Sequence, residues 1–351
     1  MIIAARFLSQ PITGVQRFAI EMSLALIKNK NIDIQIVAPK RILDNNLIIS
    51  LKVEKYGFFN SHLWDQLDLL RYLKENQNPL IVNFANTLPI FYKNKISIIH
   101  DIIFEKFPCT TSYLYRNIYH FIFPLMIENS RHIITVSEFS KKELIEFYGI
   151  KEDNISVVYN CVNKKFKKVK EEYNDKYILA VSSIAFHKNF PNIIEAFLKI
   201  KTENIKLYII GNINKKIFGR KSLSILKNIK DNKKIKFLGY VKEEELIKFY
   251  SNAKCFVYPS IYEGFGLPPL EAQACGCPVV ISNIPVFLEI YKESALFFNP
   301  FDIDDIANKI DLILNDNTLR IKLIEEGLLN SEKYSCENSA KKFLEIVRKY
   351  C

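Results

Sequence analysis

The sequence predicts an α/β protein built from two successive doubly wound domains. Three observations point to this. First, 351 residues are more than one hydrophobic core usually organises. Second, short β-rich apolar runs alternate with helical patterns through most of the chain. Third, that alternation stops at a polar stretch near 159–176 and then starts again. Strands that alternate with helices imply a parallel sheet covered on both faces. The expected organisation is a first domain over 1–160, a linker over 161–176 and a second domain over 177–335. A final helix over 336–351 is expected to pack back on the first domain.

In order along the chain, Ile2–Leu8 reads as a strand. Gly14-Val15-Gln16-Arg17 then opens a helix to about Lys28, with apolar residues at Phe18, Met22, Leu26 and Ile27. Ile34–Ala38, Leu80–Phe84, Ile96–His100 and His132–Val136 are strands with helices between them. Ser137 suits an N-cap because Ser137-Glu138-Phe139-Ser140 leads into Lys141–Tyr148. After the polar stretch, Tyr177–Ser182 is a strand and Asn189–Lys201 a helix. Ile205–Ile210, Ile235–Leu238, Cys255–Tyr258 and Pro278–Ile281 are further strands, and helical patterns at 302–314, 317–331 and 336–350 end the chain.

Composition is that of a globular protein, with 49% hydrophobic and 25% charged residues. The richest apolar stretch, Tyr119 to Ile127, is broken by Pro124 and falls short of the roughly 18 residues of a membrane helix. The N-terminus lacks a signal-peptide pattern, so a cytoplasmic protein is expected. The seven cysteines fit neither a common zinc pair nor a redox pair and are expected to be reduced structural thiols. Formal net charge is +11, and residues 199–236 hold twelve Lys or Arg against two acids. A solvated basic surface explains this. Contact with an anionic membrane is a second expectation, and no nucleic-acid signature accompanies the charge.

One segment carries most of the functional information: Pro259-Ser260-Ile261-Tyr262-Glu263-Gly264-Phe265-Gly266-Leu267-Pro268-Pro269-Leu270-Glu271. It reads as a strand end, a glycine loop and a helix start, with a carboxylate on each side. Glycines let the backbone approach a ligand, and Pro268 and Pro269 suit a first helical turn. Free amides and the helix dipole then make an anion site. Carboxylates beside it can hold ribose and sugar hydroxyls, which is what a nucleotide-sugar enzyme needs. Lys188, in His187-Lys188-Asn189 after the first strand of the second domain, is placed to neutralise a diphosphate. His100 ends a first-domain strand and is suited to a sugar hydroxyl, although a satisfied structural histidine is the commoner case. Gly14 and Gly239 are weak signals alone. Each lies after a strand, and Tyr240 and Val241 are candidates for contact with a nucleobase. Asp302-Ile303-Asp304 is the one Asp-x-Asp pair, and it reads as a helix cap rather than a metal site.

At these residues the chain resembles the GT-B glycosyltransferases, specifically glycosyltransferase family 4. Glu263 to Val280 is similar to the family's Glu-x7-Glu signature with its trailing Ala-x-Ala-Cys-Gly-x-Pro-Val. Thr13-Gly14-Val15-Gln16-Arg17 and Trp64-Asp65-Gln66 resemble mannosyl- and rhamnosyltransferase members that build bacterial surface polysaccharides. The resemblance implies two Rossmann-like domains facing across a cleft. It implies Glu271 on the donor ribose, Glu263 on the transferred sugar, Lys188 on the diphosphate with Gly264, Phe265, Gly266 and Leu267 around it, and Gly14 near the diphosphate or the acceptor. His100 is implied to contact the sugar. The implied reaction is retaining hexosyl transfer from a nucleotide-diphosphate sugar, GDP-mannose favoured, to a lipid-linked oligosaccharide. No cofactor and no metal are implied. Ser182 stands where many members carry Arg, and Asn160-Cys161-Val162 replaces the usual Asn-Gly-Val. Two other readings stay open on sequence: another GT-B nucleotide-sugar enzyme such as an epimerase, and a non-catalytic glycan-binding subunit.

Overall fold

A computed structural model describes residues 1–29, 32–85, 87–108, 113–171, 173–182, 185–211 and 232–350. The central part of the basic stretch, 212–231, lies outside the described residues. The chain divides into two compact units. Unit 1 comprises Met1–Ile102, Tyr113–Cys161 and Cys336–Cys351, and unit 2 comprises Ile103–Ser112 and Val162–Ser335.

Unit 1 holds a seven-stranded sheet. Its strands are β1 (Ile2–Ala4), β2 (Gln35–Ala38), β3 (Glu54–Lys55), β4 (Ile81–Asn83), β5 (Lys95–Ile98), β6 (His132–Thr135) and β7 (Ile155–Val157). Their order is β3-β2-β1-β4-β5-β6-β7, and every pairing is parallel. The sheet therefore grows in one direction from β1 to β3 and in the other from β4 to β7. The reversal falls between β1 and β4. Both faces are covered, which is why β1, β4, β5 and β6 are buried at every position. The expected first strand is shorter than predicted, because Arg6–Ser9 turns into a 3-10 helix. Phe7 and Leu8 stay buried there, so the apolar run does not reveal where extension stops. Ser137 caps the helix Glu138–Tyr148 by accepting from the Ser140 amide, and Gly149 ends it in the left-handed region. The helix Cys336–Val347 packs on the helix Gly14–Ile27, and Phe343 meets Phe84 at 5.0 Å between ring centroids.

Unit 2 holds six parallel strands: β8 (Tyr177–Val181), β9 (Lys206–Ile210), β10 (Ile235–Gly239), β11 (Cys255–Tyr258), β12 (Val279–Ser282) and β13 (Leu296–Phe298). The order is β10-β9-β8-β11-β12-β13, so the reversal falls between β8 and β11. Ile178, Ala180, Leu207, Ile209, Val257 and Val280 form one core with Phe190, Ile194 and Phe197 of the helix Phe190–Lys199 and with Ile306 and Ile310 of Ile303–Asn315. The polar stretch after Val162 runs along the helix Glu243–Asn252. Phe166 meets Tyr250 there, and Asn252 Nδ2 donates to the Glu171 carbonyl at 2.8 Å. Asp302 accepts from the Asp304 and Asp305 amides, both at 3.0 Å, and caps Ile303–Asn315.

One expectation is overturned. Cys161 and Cys336 form a disulfide with a Cα–Cα distance of 4.9 Å, so not all cysteines are free thiols. The bond joins the residue at which the chain leaves unit 1 for Val162–Ser335 to the residue at which it returns. A separation of 175 residues gives no sequence cue to the pairing. Cys255, Cys275 and Cys277 are free and buried, as expected.

Candidate functional site

The site in unit 2 lies at the carboxyl ends of β8 and β11, on either side of the sheet's reversal. Open α/β sheets bind ligands at such a switch point. After β8 the chain makes a 3-10 turn, Phe186–Lys188, and Asn189 follows at φ 53°. Asn189 and Asn192 both donate to the Pro300 carbonyl, at 2.7 and 2.9 Å. The His187 carbonyl accepts from the Ile261 amide at 2.8 Å. The turn after β8 is thus fastened to the loop after β11.

That fastening brings Lys188 onto Glu263. Lys188 Nζ forms an ion pair with Glu263 Oε1, and each side chain is 12% exposed. Nζ also donates to the Tyr258 hydroxyl at 3.0 Å, and Ser260 Oγ donates to Glu263 Oε1 at 2.7 Å. Burial alone pushes the Glu263 carboxyl up, but the Lys188 charge, with hydrogen bonds from Lys188 and Ser260, outweighs it and holds it below its ordinary value. Burial likewise opposes the Lys188 charge, and Glu263 with Tyr258 more than restores it, so its pKa is raised. Both groups are charged at neutral pH. His187 is held neutral, its pKa lowered to about 4 by burial and then by Lys188.

Gly266 caps the helix Leu267–Ala274 at φ 95°, with Pro268 and Pro269 in its first turn. A side chain is excluded there twice over: the φ favours glycine, and an added Cβ would lie 2.5 Å from Phe287. Tyr291 donates its hydroxyl to the Gly266 carbonyl, which further fixes the loop. Glu271 is buried on that helix and accepts from the Tyr250 hydroxyl at 3.1 Å. Phe265 is buried against Tyr334, with centroids 5.6 Å apart. Gly264 and Leu267 fall within the same loop and first turn.

The other expected residues lie on other elements. Gly239 ends β10 at φ 69°, two strands from β8, hence about 10 Å across the sheet. Tyr240 beside it is 72% exposed, and Val241 is half-buried. His100 follows β5 in unit 1. Its Nε2 lies 2.7 Å from the Phe84 carbonyl, which assigns the proton to Nε2 and leaves Nδ1 an acceptor. Burial lowers its pKa to about 4, so the ring is neutral and is no general acid near pH 7. Gly14 is the first residue of its helix. Sequence reasoning missed Tyr258, Tyr250 and, as a working residue, Ser260. Two of the three lie within five residues of Glu263, so position was the available signal.

Residues 12–166 match the family described as Glycosyltransferase Family 4, and residues 162–329 match Glycosyl transferases group 1. The chain is 30% identical over 249 residues to the uncharacterized glycosyltransferase MJ1178 of Methanocaldococcus jannaschii, covering 70% of this chain and 67% of that one. The chain belongs to the group 1 glycosyl transferases. It is also 32% identical over 231 residues to the O-antigen chain mannosyltransferase RfbU of Salmonella typhimurium. That match covers 66% of this chain and spans 63% of RfbU's length. The fold is GT-B, similar over 99% of both chains to Anabaena Alr3699/HepE in complex with UDP and glucose, at a TM-score of 0.76 and 14% identity.

Proposed function

We propose that this group 1 family member is a glycosyltransferase that moves a hexose, mannose favoured, from a nucleotide-diphosphate sugar to a hydroxyl of a lipid-linked glycan in surface-polysaccharide synthesis. The observation that carries the reading is the buried Lys188–Glu263 pair at the unit 2 switch point, set before a glycine-capped helix N-terminus. The likeness to the mannosyltransferase RfbU favours mannose.

In this reading Lys188 and the first amides of Leu267–Ala274 neutralise the leaving diphosphate, an electrostatic contribution. These groups do what a metal would otherwise do, so no metal is proposed. Glu263 is the counterion of Lys188 without ligand. With donor bound, Lys188 turns to the diphosphate and Glu263 accepts from hydroxyls of the transferred sugar. Glu271 takes the ribose hydroxyls, and neutral His100 accepts from a sugar hydroxyl through Nδ1. The bond from the anomeric carbon to the diphosphate oxygen breaks as the acceptor oxygen bonds to the same face. The acceptor's proton passes to the departing diphosphate, and configuration is retained.

A thermal-shift panel of GDP-, UDP- and dTDP-sugars tests the reading, because a ligand that binds the native state raises apparent stability. Glu271→Ala is expected to abolish most of the shift. Glu263→Ala is expected to keep it while slowing transfer. Full donor affinity and full transfer rate in both variants would refute the assignment.

A further inference from the structure

Unit 1 has its own switch point, between β1 and β4, and it too carries a buried ion pair. Arg6 follows β1, and its Nε donates to Asp65 Oδ1 at 2.9 Å, with the two side chains 5% and 1% exposed. Thr87 follows β4 and donates its hydroxyl to Asp65 Oδ2 at 2.7 Å. His62 Nδ1 lies 3.2 Å from the Thr87 oxygen and 3.4 Å from Arg6 Nη2, a group that can only donate. These contacts tie Nδ1 to the Arg6–Asp65–Thr87 cluster and leave Nε2, on the opposite ring edge, directed away from it.

The cluster is held from several sides. His62 precedes a π-helical turn, Trp64–Asp68, and such turns concentrate at functional sites. Trp64 is fully buried and donates Nε1 to the Tyr56 carbonyl at 2.8 Å. Asp68 accepts from the Phe58 and Phe59 amides, both at 2.8 Å. Gln66 clamps the loop that carries Thr87, donating to the Leu88 carbonyl at 3.1 Å and accepting from the Ile90 amide at 2.9 Å. Buried Lys95 donates to the Pro89 and Ile90 carbonyls at 2.8 and 2.7 Å. Supports of this kind are what a precise binding group needs. Against this rigid surround, the His62 side chain remains 36% exposed.

Charge decides what such a site takes. Arg6 is already neutralised by Asp65 and is 4% exposed, so it offers no cation to a phosphate. His62 is neutral, its pKa lowered to about 4 by burial and then by Arg6. Tyr119 stands edge-on to it at 5.6 Å. An uncharged imidazole nitrogen beside an aromatic ring suits a sugar hydroxyl, which can both donate and accept. We propose that Nε2 of His62, positioned by Arg6, Thr87 and Asp65 at the unit 1 switch point, hydrogen-bonds a hydroxyl of the acceptor sugar. This rests on the glycosyltransferase reading above.

The full chain is titrated with methyl glycosides of mannose, galactose, glucose and N-acetylglucosamine, read by ligand-observed saturation-transfer NMR. His62→Asn keeps an amide at the Nδ1 position, in reach of Thr87 and Arg6, but removes the group at Nε2. His62→Gln restores an amide near the Nε2 position. The proposal expects saturation transfer to at least one glycoside in the native protein and its loss in His62→Asn. It expects recovery in His62→Gln and an unchanged thermal shift with nucleotides in both. No glycoside signal in the native protein, or an equal signal in His62→Asn, overturns it. Displacement of the glycoside by saturating nucleotide sugar assigns the subsite to the donor and overturns it as well. Absence of any nucleotide shift refutes the glycosyltransferase reading, and the glycoside signals still report on His62.

Discussion

Replacing Lys188 by Met tests whether the pair at the unit 2 switch point is electrostatic in origin. Methionine fills similar space and leaves Glu263 buried without its ion-pair partner, with Ser260 Oγ still donating to it. Removing one member of a buried pair typically costs about 3–5 kcal/mol. Protonation sets a ceiling on that cost. A carboxyl forced to bind a proton loses about 1.36 kcal/mol for each unit between its ordinary pKa and the ambient pH. From the ordinary value of 4.5, the ceiling is about 3.4 kcal/mol at pH 7 and about 0.7 kcal/mol at pH 5.

The sign follows from linkage. In the native protein the folded pKa of Glu263 lies below the ordinary value. Its contribution is present above the unfolded pKa and is lost as pH falls through the folded pKa. In Lys188→Met burial dominates, the folded carboxyl holds its proton, and stability falls as pH rises past the unfolded value. Urea denaturation followed by far-ultraviolet circular dichroism at pH 5 and pH 7 reads the difference. The variant is expected to lose about 3 kcal/mol at pH 7 and under about 1 kcal/mol at pH 5. Lys188→Met with Glu263→Gln is expected to recover most of the loss at pH 7. A loss that does not change with pH, or a double variant as unstable as the single one, would refute the argument.

Two further outcomes follow from the local geometry. Gly266→Ala combines a positive φ with a Cβ 2.5 Å from Phe287, and is expected to cost about 2–4 kcal/mol and to reduce the nucleotide thermal shift. An unchanged melting temperature would show that the loop is looser than its geometry implies. Asp302→Ala removes the acceptor for two amides of Ile303–Asn315 and is expected to cost about 1 kcal/mol with nucleotide binding intact. A loss of binding there would give Asp302 a role beyond capping.

The strands that build the interior of both sheets were legible because burial on two faces requires near-continuous apolar runs. Cys255–Tyr258 and Lys206–Ile210 are such runs. The strands not anticipated are β3, β7 and β13, each two or three residues long and at a sheet edge. One neighbour and few buried side chains leave no pattern to read. Among site residues, Glu263 and Glu271 were legible because the loop between them demands glycine and proline at fixed places. The partners that tune them, Tyr258 and Tyr250, are apolar-looking positions in a strand and a helix. Arg6, Asp65 and Thr87 are harder still, because the Arg6–Asp65 bond joins residues 59 apart. Only strand order brings them together.

Strand order also explains why the two units hold their charges differently. Each sheet reverses direction once and so opens one crevice at its strand ends, and each crevice holds a cation facing a carboxylate. In unit 2 both members keep 12% exposure, and Glu263 sits on a glycine loop. On the proposed reading that counterion is exchanged when Lys188 meets an incoming anion. In unit 1 the pair is 5% and 1% exposed, and Asp65 is further committed to Thr87. Burial raises the Asp65 pKa to about 6, against the pull of Arg6 and Thr87. Its charge is costly to uncover, so this pair orients a neighbour rather than meeting a charged ligand. On the proposed reading, the same topological position yields an anion-binding pair in one unit and a neutral, hydroxyl-binding surface in the other.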